Sequence, residues 1–150
     1  MNTAFVASKR WVAENQGTCF RLMMMIANEL KDTLKVPGEV ISIHYDHLSL
    51  LRTGKKEFPP ELEQKGIEII KRAEMVVAEV TLDPQEVEKE IRSAGGGKPV
   101  LCLYQPTQNG APKILKGVPN VSFESYRWLG EALRPIDTFM KNYGSKLKRG

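Results

Sequence analysis

The centre of the chain has two short apolar runs on either side of a charged segment. The first run covers residues 75–80 and is rich in valine, and the second covers residues 99–104. The charged segment, residues 85–94, favours a helix, and Asp83-Pro84 before it is typical of a helix start. Strands that are covered on both faces read as continuous apolar runs. The pattern therefore predicts a parallel strand–helix–strand unit.

The rest of the chain continues this alternation of strands and helices. Further strands are predicted at residues 3–7, 40–43 and 120–123, and further helices at residues 16–32, 61–73 and 128–143. Residues 48–60 are polar and irregular, and they fit either a flap over a site or a plain surface loop. Because strands and helices alternate, we expect one α/β domain over residues 1–150, with a mostly parallel sheet of four to five strands.

Two of the predicted helices carry a specific expectation. In helix 16–32 the helical spacing places one set of side chains on the buried face: Phe20, Met23, Met24, Ala27 and Leu30. The final helix is expected to be interrupted or kinked near Pro135, because proline removes a backbone N–H group.

Size and composition indicate a soluble protein. The chain has 150 residues, of which 41% are hydrophobic. None of its apolar runs approaches the roughly 20 residues that cross a bilayer, and the N-terminus lacks the pattern of a signal peptide. We therefore expect a cytoplasmic protein that does not bind membranes. Cys19 and Cys102 lack metal-site spacing, and we expect no disulfide between them.

The net charge of +4 comes largely from the end of the chain. The basic tail covers residues 141–150 and includes Lys141, Lys146, Lys148 and Arg149. The main interpretation is a solvated terminus, and the alternative is a contact with nucleic acid or an acidic partner. Because the sequence has no zinc-finger spacing, RNP-like strand or helix-turn-helix, we do not expect nucleic acid as a partner.

Known cofactor and metal motifs are missing from the sequence. It contains neither a Walker A sequence nor GxGxxG, and the glycines at 95–97 follow a predicted helix, where glycine ends helices. His44, Asp46 and His47 are the nearest approach to a metal site, but no third cluster of ligands accompanies them. We therefore expect no metal and no cofactor.

Polar residues at the carboxyl ends of predicted strands are the candidate site, because ligands of parallel sheets bind there. Ser8, Lys9 and Arg10 follow the first strand and form either an anion site or an exposed basic turn. His44 ends the second strand and either faces a ligand or is a satisfied loop histidine. On the charged helix Glu86 and Glu90 share a face, whereas Glu88 points elsewhere. A carboxylate here can act as a nucleophile or general base, but the pattern alone does not select one.

The run AEMVVAEVT, the acidic residue on the following helix, and GKPVLCLYQP together resemble the nucleoside 2-deoxyribosyltransferase family. The resemblance is greatest to the 2′-deoxynucleoside 5′-monophosphate N-hydrolases, is strongest over residues 66–106 and fades after residue 117. It implies a flavodoxin-like or Rossmann-like three-layer sandwich and a homodimer with shared sites. It also implies cleavage of the bond between base and deoxyribose by a helix glutamate, comparable to the nucleophile of a retaining glycosidase.

The resemblance also implies roles for particular residues. It places Glu90 at the position of the family's catalytic glutamate. Ser8, Lys9 and Arg10 fall where the family binds the nucleotide phosphate, and His44 falls where the family has a histidine after the second strand.

The chain departs from the family pattern at several positions. Gly66 stands where the family has a second carboxylate, and Glu86 and Glu88 stand where it has glycines. The family also has a serine that binds the phosphate of the partner subunit's site. That serine falls near Ala111 here, where the sequence has no hydroxyl. Two functions are therefore compatible with the sequence. One is a working N-glycosidase acting on a nucleotide or a relative, and the other is a catalytically silent relative that binds a nucleotide or serves as an assembly subunit.

Overall fold

The computed structural model describes residues 2–35, 38–46 and 59–144. The strands in these ranges are β1 (Asn2–Ala7), β2 (Glu39–Ile41), β3 (Met75–Glu79), β4 (Val100–Tyr104) and β5 (Val121–Ser125). The α-helices are α1 (Lys9–Glu14), α2 (Gln16–Asp32), α3 (Ile43–Asp46), α4 (Pro60–Arg72), α5 (Pro84–Ala94) and α6 (Leu133–Phe139). A 3₁₀ helix, Leu129–Ala132, precedes α6, and a π-helical segment, Met140–Gly144, follows it.

The strands form a 5-stranded sheet in the order β2-β1-β3-β4-β5, and all four neighbouring pairs are parallel. The expected α/β fold with a flavodoxin-like or Rossmann-like sheet is therefore confirmed. The chain runs from β1 outward to β2 and then returns to the other side of β1 to form β3. This reversal creates a crevice at the carboxyl ends of β1 and β3, which is where ligands of such sheets bind.

Alternate side chains of the central strands pack into two separate hydrophobic cores. On one face of the sheet, Phe5 and Val77 pack in a cluster with buried residues of α2 and α6. On the other face, Ala4, Val6 and Val76 pack with buried residues of α4 and α5. Since successive strand residues point to opposite faces, one apolar run supplies both layers. Helices therefore cover both sides of the sheet.

The buried face of α2 differs from the predicted one. Phe20 and Met24 are exposed at 48% and 47% of their surface, and Ala27 is also exposed. The buried residues are Cys19, Leu22, Ile26 and Leu30. This stripe also has helical spacing, but its phase is about one residue earlier. Apolar residues at successive positions 22–26 fit either phase, and packing against the sheet and α6 decided between them.

Several element boundaries also differ from the predicted ones. The second strand ends at Ile41, and His44 lies in the short helix α3, not in the strand. A short helix, α1, begins at Lys9, where the sequence allows either an anion site or an exposed basic turn. Asp83 takes a left-handed conformation, with φ 45°, and its side chain makes no cap hydrogen bond. Pro135 lies in the first turn of α6, where a missing N–H costs no helical bond; the helix changes to π geometry only at Met140.

Some sequence predictions fall outside the described ranges. These are most of the predicted flap or loop (residues 48–58 of 48–60), His47, and the tail residues Lys146, Lys148 and Arg149. Within the described ranges, no helix combines the length and apolar character needed to cross a membrane. Cys19 and Cys102 are both buried and free, and burial of Cys19 was not predicted.

Candidate active site

The carboxyl ends of β1, β2 and β3 bring three chain segments to one edge of the sheet. Lys9 follows β1, His44 lies in α3 after β2, and α5 follows β3. Glu86 and Glu90 are one turn apart on α5 and share a face, as their spacing predicts. Glu86 contacts Lys9, and Glu90 contacts His44. The sheet order therefore assembles two carboxylates, a lysine and a histidine from distant parts of the sequence.

Glu90 and His44 form the inner pair of this site. The Nε2 atom of His44 lies 3.3 Å from Oε1 of Glu90. The His44 side chain is 3% exposed to solvent, and the Glu90 side chain is 14% exposed. A cavity of about 10 Å³ lies beside them, with Gly66 in its lining. That volume holds about one water molecule. This cavity therefore has no room for a ligand larger than water.

Gly66 is closely packed against α3. A Cβ atom added there would lie 3.0 Å from the Cγ2 atom of Ile43, the first residue of α3. Because Gly66 has no side chain, α4 can therefore lie close to α3, which contains His44. At the position where the resemblance places a second carboxylate, this chain thus has a close contact between two helices.

Glu86 and Lys9 form the outer pair of the site. The Oε2 atom of Glu86 accepts a hydrogen bond from the backbone N–H of Lys9 at 2.7 Å. The Lys9 ammonium lies 3.6 Å from Oε1 of Glu86 and 3.2 Å from Oε1 of Glu63. Lys9 therefore faces two carboxylates of its own chain.

Ser8 and Arg10 are placed differently from Lys9. Ser8 is fully buried and caps α1, since its Oγ accepts the N–H of Trp11 at 3.2 Å. The Arg10 guanidinium is more than half exposed and lies 3.9 Å from Glu14 and 3.8 Å from Asp83. Of the three residues after β1, only Lys9 contacts the glutamates that face the site.

Glu88 lies on another face of α5, as predicted. Its Oε2 atom accepts the backbone N–H of Leu115 at 2.6 Å and lies 3.2 Å from Nε of Arg92. The Leu115 hydrogen bond, together with Arg92, lowers the pKa of the Glu88 carboxyl. Glu88 thus holds the loop before β5 and takes no part in the site.

The site also contains a group of atoms that a metal ion can bind. One ligand atom each from His44, Glu86 and Glu90 lie within 4.8 Å of one another. Imidazole and carboxylate are ligands for divalent transition metals. The Lys9 ammonium, however, supplies a positive charge to Glu86 in this same place.

Sequence analysis missed a buried carboxylate at the same edge of the sheet. Glu79 is fully buried at the end of β3, opposite Ala7 of β1. Its carboxylate accepts the N–H of Thr81 at 2.7 Å, the hydroxyl of Thr81 at 2.8 Å and the hydroxyl of Tyr126. Burial raises the pKa of Glu79, and burial together with the Glu79 charge raises the pKa of Tyr126. The signal for this residue was a single carboxylate inside an apolar run.

Glu79 fixes the loop that leads from β3 into α5. The Oγ1 atom of Thr81, held by Glu79, accepts the backbone N–H of Gln105 at 2.9 Å. Tyr126 follows β5, and its backbone N–H binds the carbonyl of Tyr104 at the end of β4. The network therefore joins the ends of β3, β4 and β5, and its Tyr126 belongs to the core on the α2 and α6 face of the sheet.

A wider groove lies beside the start of α5. It has a volume of about 420 Å³, and its lining includes Thr81, Pro84, Tyr104 and Lys113. Its size is in the range of small-molecule sites. The described residues therefore offer room for a nucleoside-sized ligand near the carboxyl ends of β3 and β4.

Comparison with known proteins gives a match in structure only. The chain matches no family model, and no curated protein matches its sequence. Its structure is similar to that of the Clostridium botulinum CMP N-glycosidase BcmB, with a TM-score of 0.61 and 18% sequence identity. The match covers 93% of this chain and 99% of the BcmB chain. At this identity the similarity shows a shared α/β fold, while membership of the resembled family and of its branch stays a prediction.

Proposed function

We propose that the chain is an N-glycosidase that cleaves the base–sugar bond of a nucleoside or nucleoside 5′-monophosphate, with Glu90 as the nucleophile. The observation that carries this proposal is the position of Glu90. It is a partly exposed carboxylate at the crevice of the parallel sheet, and a buried histidine lies 3.3 Å behind it. The similarity in fold to a CMP N-glycosidase supports cleavage of a base–sugar bond as the reaction.

The proposed reaction has two steps. A Glu90 oxygen attacks the anomeric carbon as the carbon–nitrogen bond breaks, and the base leaves with the bonding electrons and takes up a proton from solvent. Water then attacks the anomeric carbon, which releases the sugar, restores the Glu90 carboxylate and returns a proton to solvent. His44 orients Glu90 through Nε2 and does not itself react. A second base in place of water would give transfer in place of hydrolysis.

In this proposal the residues after β1 bind the 5′ end of the substrate. Lys9 lies at the exposed side of the site beside Glu86, Ser8 holds the start of α1, and Arg10 lies at the rim. The proposal includes a homodimer with shared sites. Light scattering measures the molar mass in solution and so tests whether the chain is a dimer. It includes no cofactor.

The test is release of free base from deoxynucleosides, ribonucleosides and their 5′-monophosphates, measured by chromatography. We expect release by the wild type and a loss of roughly 100-fold or more in Glu90→Ala. Glu88→Gln is the matched control, since it changes a carboxylate on the opposite side of the same helix. No release from any compound, or unchanged release by Glu90→Ala, would refute the proposal.

A second candidate function is a catalytically silent relative that binds a nucleotide or serves as an assembly subunit. The narrow space beside Glu90 and the pairing of Glu86 with Lys9 favour it. It predicts no base release together with measurable nucleotide binding by calorimetry or a stable assembly in light scattering. Base release that depends on Glu90 excludes it.

A further inference from the structure

The cationic side chains after β1 are balanced by carboxylates of the same chain. The Lys9 ammonium lies 3.2 Å from Glu63 and 3.6 Å from Glu86. The Arg10 guanidinium lies within 4 Å of Glu14 and Asp83. A phosphate that used these two cations would therefore have to displace, or lie beside, the carboxylates that already face them.

Glu86 engages two donors that an anionic ligand could otherwise use. It takes the backbone N–H of Lys9 at 2.7 Å and faces the ammonium of the same residue. An amide N–H and an ammonium are the donors that a phosphate oxygen would use. Because Glu86 is fixed on α5 one turn before Glu90, it lies at the entrance to the nucleophile.

Among the residues that the structure describes, carboxylates outnumber cations in the ion pairs at this end of the site. Two cations, Lys9 and Arg10, pair with four carboxylates, and a fifth carboxylate lies beside His44. These carboxylates are Glu14, Glu63, Asp83, Glu86 and Glu90. A phosphate monoester adds further negative charge next to Glu86, and like charges at this distance repel. A sugar hydroxyl, in contrast, is neutral and can donate a hydrogen bond to the same carboxylate.

We propose that Glu86 makes the site selective for nucleosides with a free 5′-hydroxyl and excludes their 5′-monophosphates. The proposal rests on the proposed N-glycosidase function and names its substrate class. The 5′-hydroxyl donates to the Glu86 carboxylate, whose other contacts are the Lys9 N–H and ammonium. Glu86 is thus a specificity-determining residue, and Glu90 remains the nucleophile.

The test compares kcat/KM for a deoxynucleoside and its 5′-monophosphate. In the wild type we expect the nucleoside to be favoured at least about tenfold. In Glu86→Gln this ratio falls at least about tenfold, mainly through a lower KM for the monophosphate, because the amide keeps its shape and loses its charge. Glu88→Gln leaves the ratio unchanged.

A measurement on the wild type alone keeps the test independent of the variant's folding. Deoxyribose 5-phosphate inhibits base release weakly in the wild type, and we expect inhibition no stronger than by deoxyribose itself. Preference of the wild type for the monophosphate, or strong inhibition by the sugar phosphate, overturns the selectivity but leaves the N-glycosidase function standing. No release from either compound overturns both proposals.

Discussion

The buried carboxylate Glu79 makes the stability of this fold depend on pH. It is fully buried, and burial raises its pKa above the ordinary value for glutamate. The native state therefore binds the Glu79 proton more tightly than the unfolded chain does. It follows that the free energy of unfolding is highest below the unfolded pKa and falls as the pH rises through the folded pKa. In Glu79→Gln this contribution is absent.

The size of the effect follows from proton linkage. Between the unfolded and folded pKa values of one group, the free energy of unfolding falls by at most about 1.4 kcal/mol per pH unit. The glutamine can keep the local hydrogen bonds. Its carbonyl accepts the N–H of Thr81, and its amide donates to the hydroxyls of Thr81 and Tyr126, which can rotate to accept. At low pH the protonated wild-type carboxyl is itself uncharged, and we expect a cost of about 1 kcal/mol from the exchange of its hydroxyl for an amide in this hydrogen-bond network.

The assay is urea unfolding followed by circular dichroism from pH 4 to pH 8. The wild type should lose stability with rising pH relative to Glu79→Gln, so that the two curves converge or cross. Glu74→Gln, an exposed carboxylate just before the same strand, is the control and should keep the wild-type slope. Equal slopes for the wild type and Glu79→Gln would refute the reasoning, since the slope difference isolates this one carboxyl group.

Three further predictions concern buried groups and close packing. Burial raises the pKa of Cys19 and of Cys102 to about 12, so neither thiol should react with a disulfide reagent at pH 8 until urea unfolds the chain; rapid native labelling would contradict this. Lys98 donates to three carbonyls at the end of α4, and Lys98→Met should cost about 1–3 kcal/mol in urea unfolding; an unchanged midpoint would show that these bonds contribute nothing. Gly66→Ala should lower the melting temperature, because the added Cβ would lie 3.0 Å from a neighbouring methyl carbon. Gly17→Ala should raise the melting temperature, because nothing lies within 4 Å of the added Cβ and alanine favours a helix. The opposite order of the two melting temperatures would contradict the packing argument.

The central strand–helix–strand unit could be predicted from sequence because its signals are local. The predicted runs at 75–80 and 99–104 overlap β3 and β4, and the predicted helix at 85–94 matches α5 to within one residue. Strands buried on both faces need apolar residues at every position, so they are recognised without knowing their partners. The triple glycine that follows α5 has positive φ at all three positions, which side chains disfavour. Fold class was therefore readable from the chain.

The orientation of α2 and the placement of His44 could not be read in the same way. The apolar positions of α2 allow two phases, and only packing against the sheet selects the stripe with Cys19 and Leu22. The apolar pattern before His44 continues past Ile41, but the strand ends where its pairing with β1 ends. Periodicity describes one segment at a time, whereas these choices depend on what lies opposite.

The same division holds at the site. The spacing of Glu86 and Glu90 by itself determined that both face one side of α5, because four residues make about one helical turn. Tertiary structure decided what each faces: Lys9 is 77 residues from Glu86, and His44 is 46 residues from Glu90. These pairs exist because the sheet order places the ends of β1, β2 and β3 at one edge. Strand order is a property of the whole fold. The pairing of charges in the site could therefore not be predicted from the sequence of any one segment.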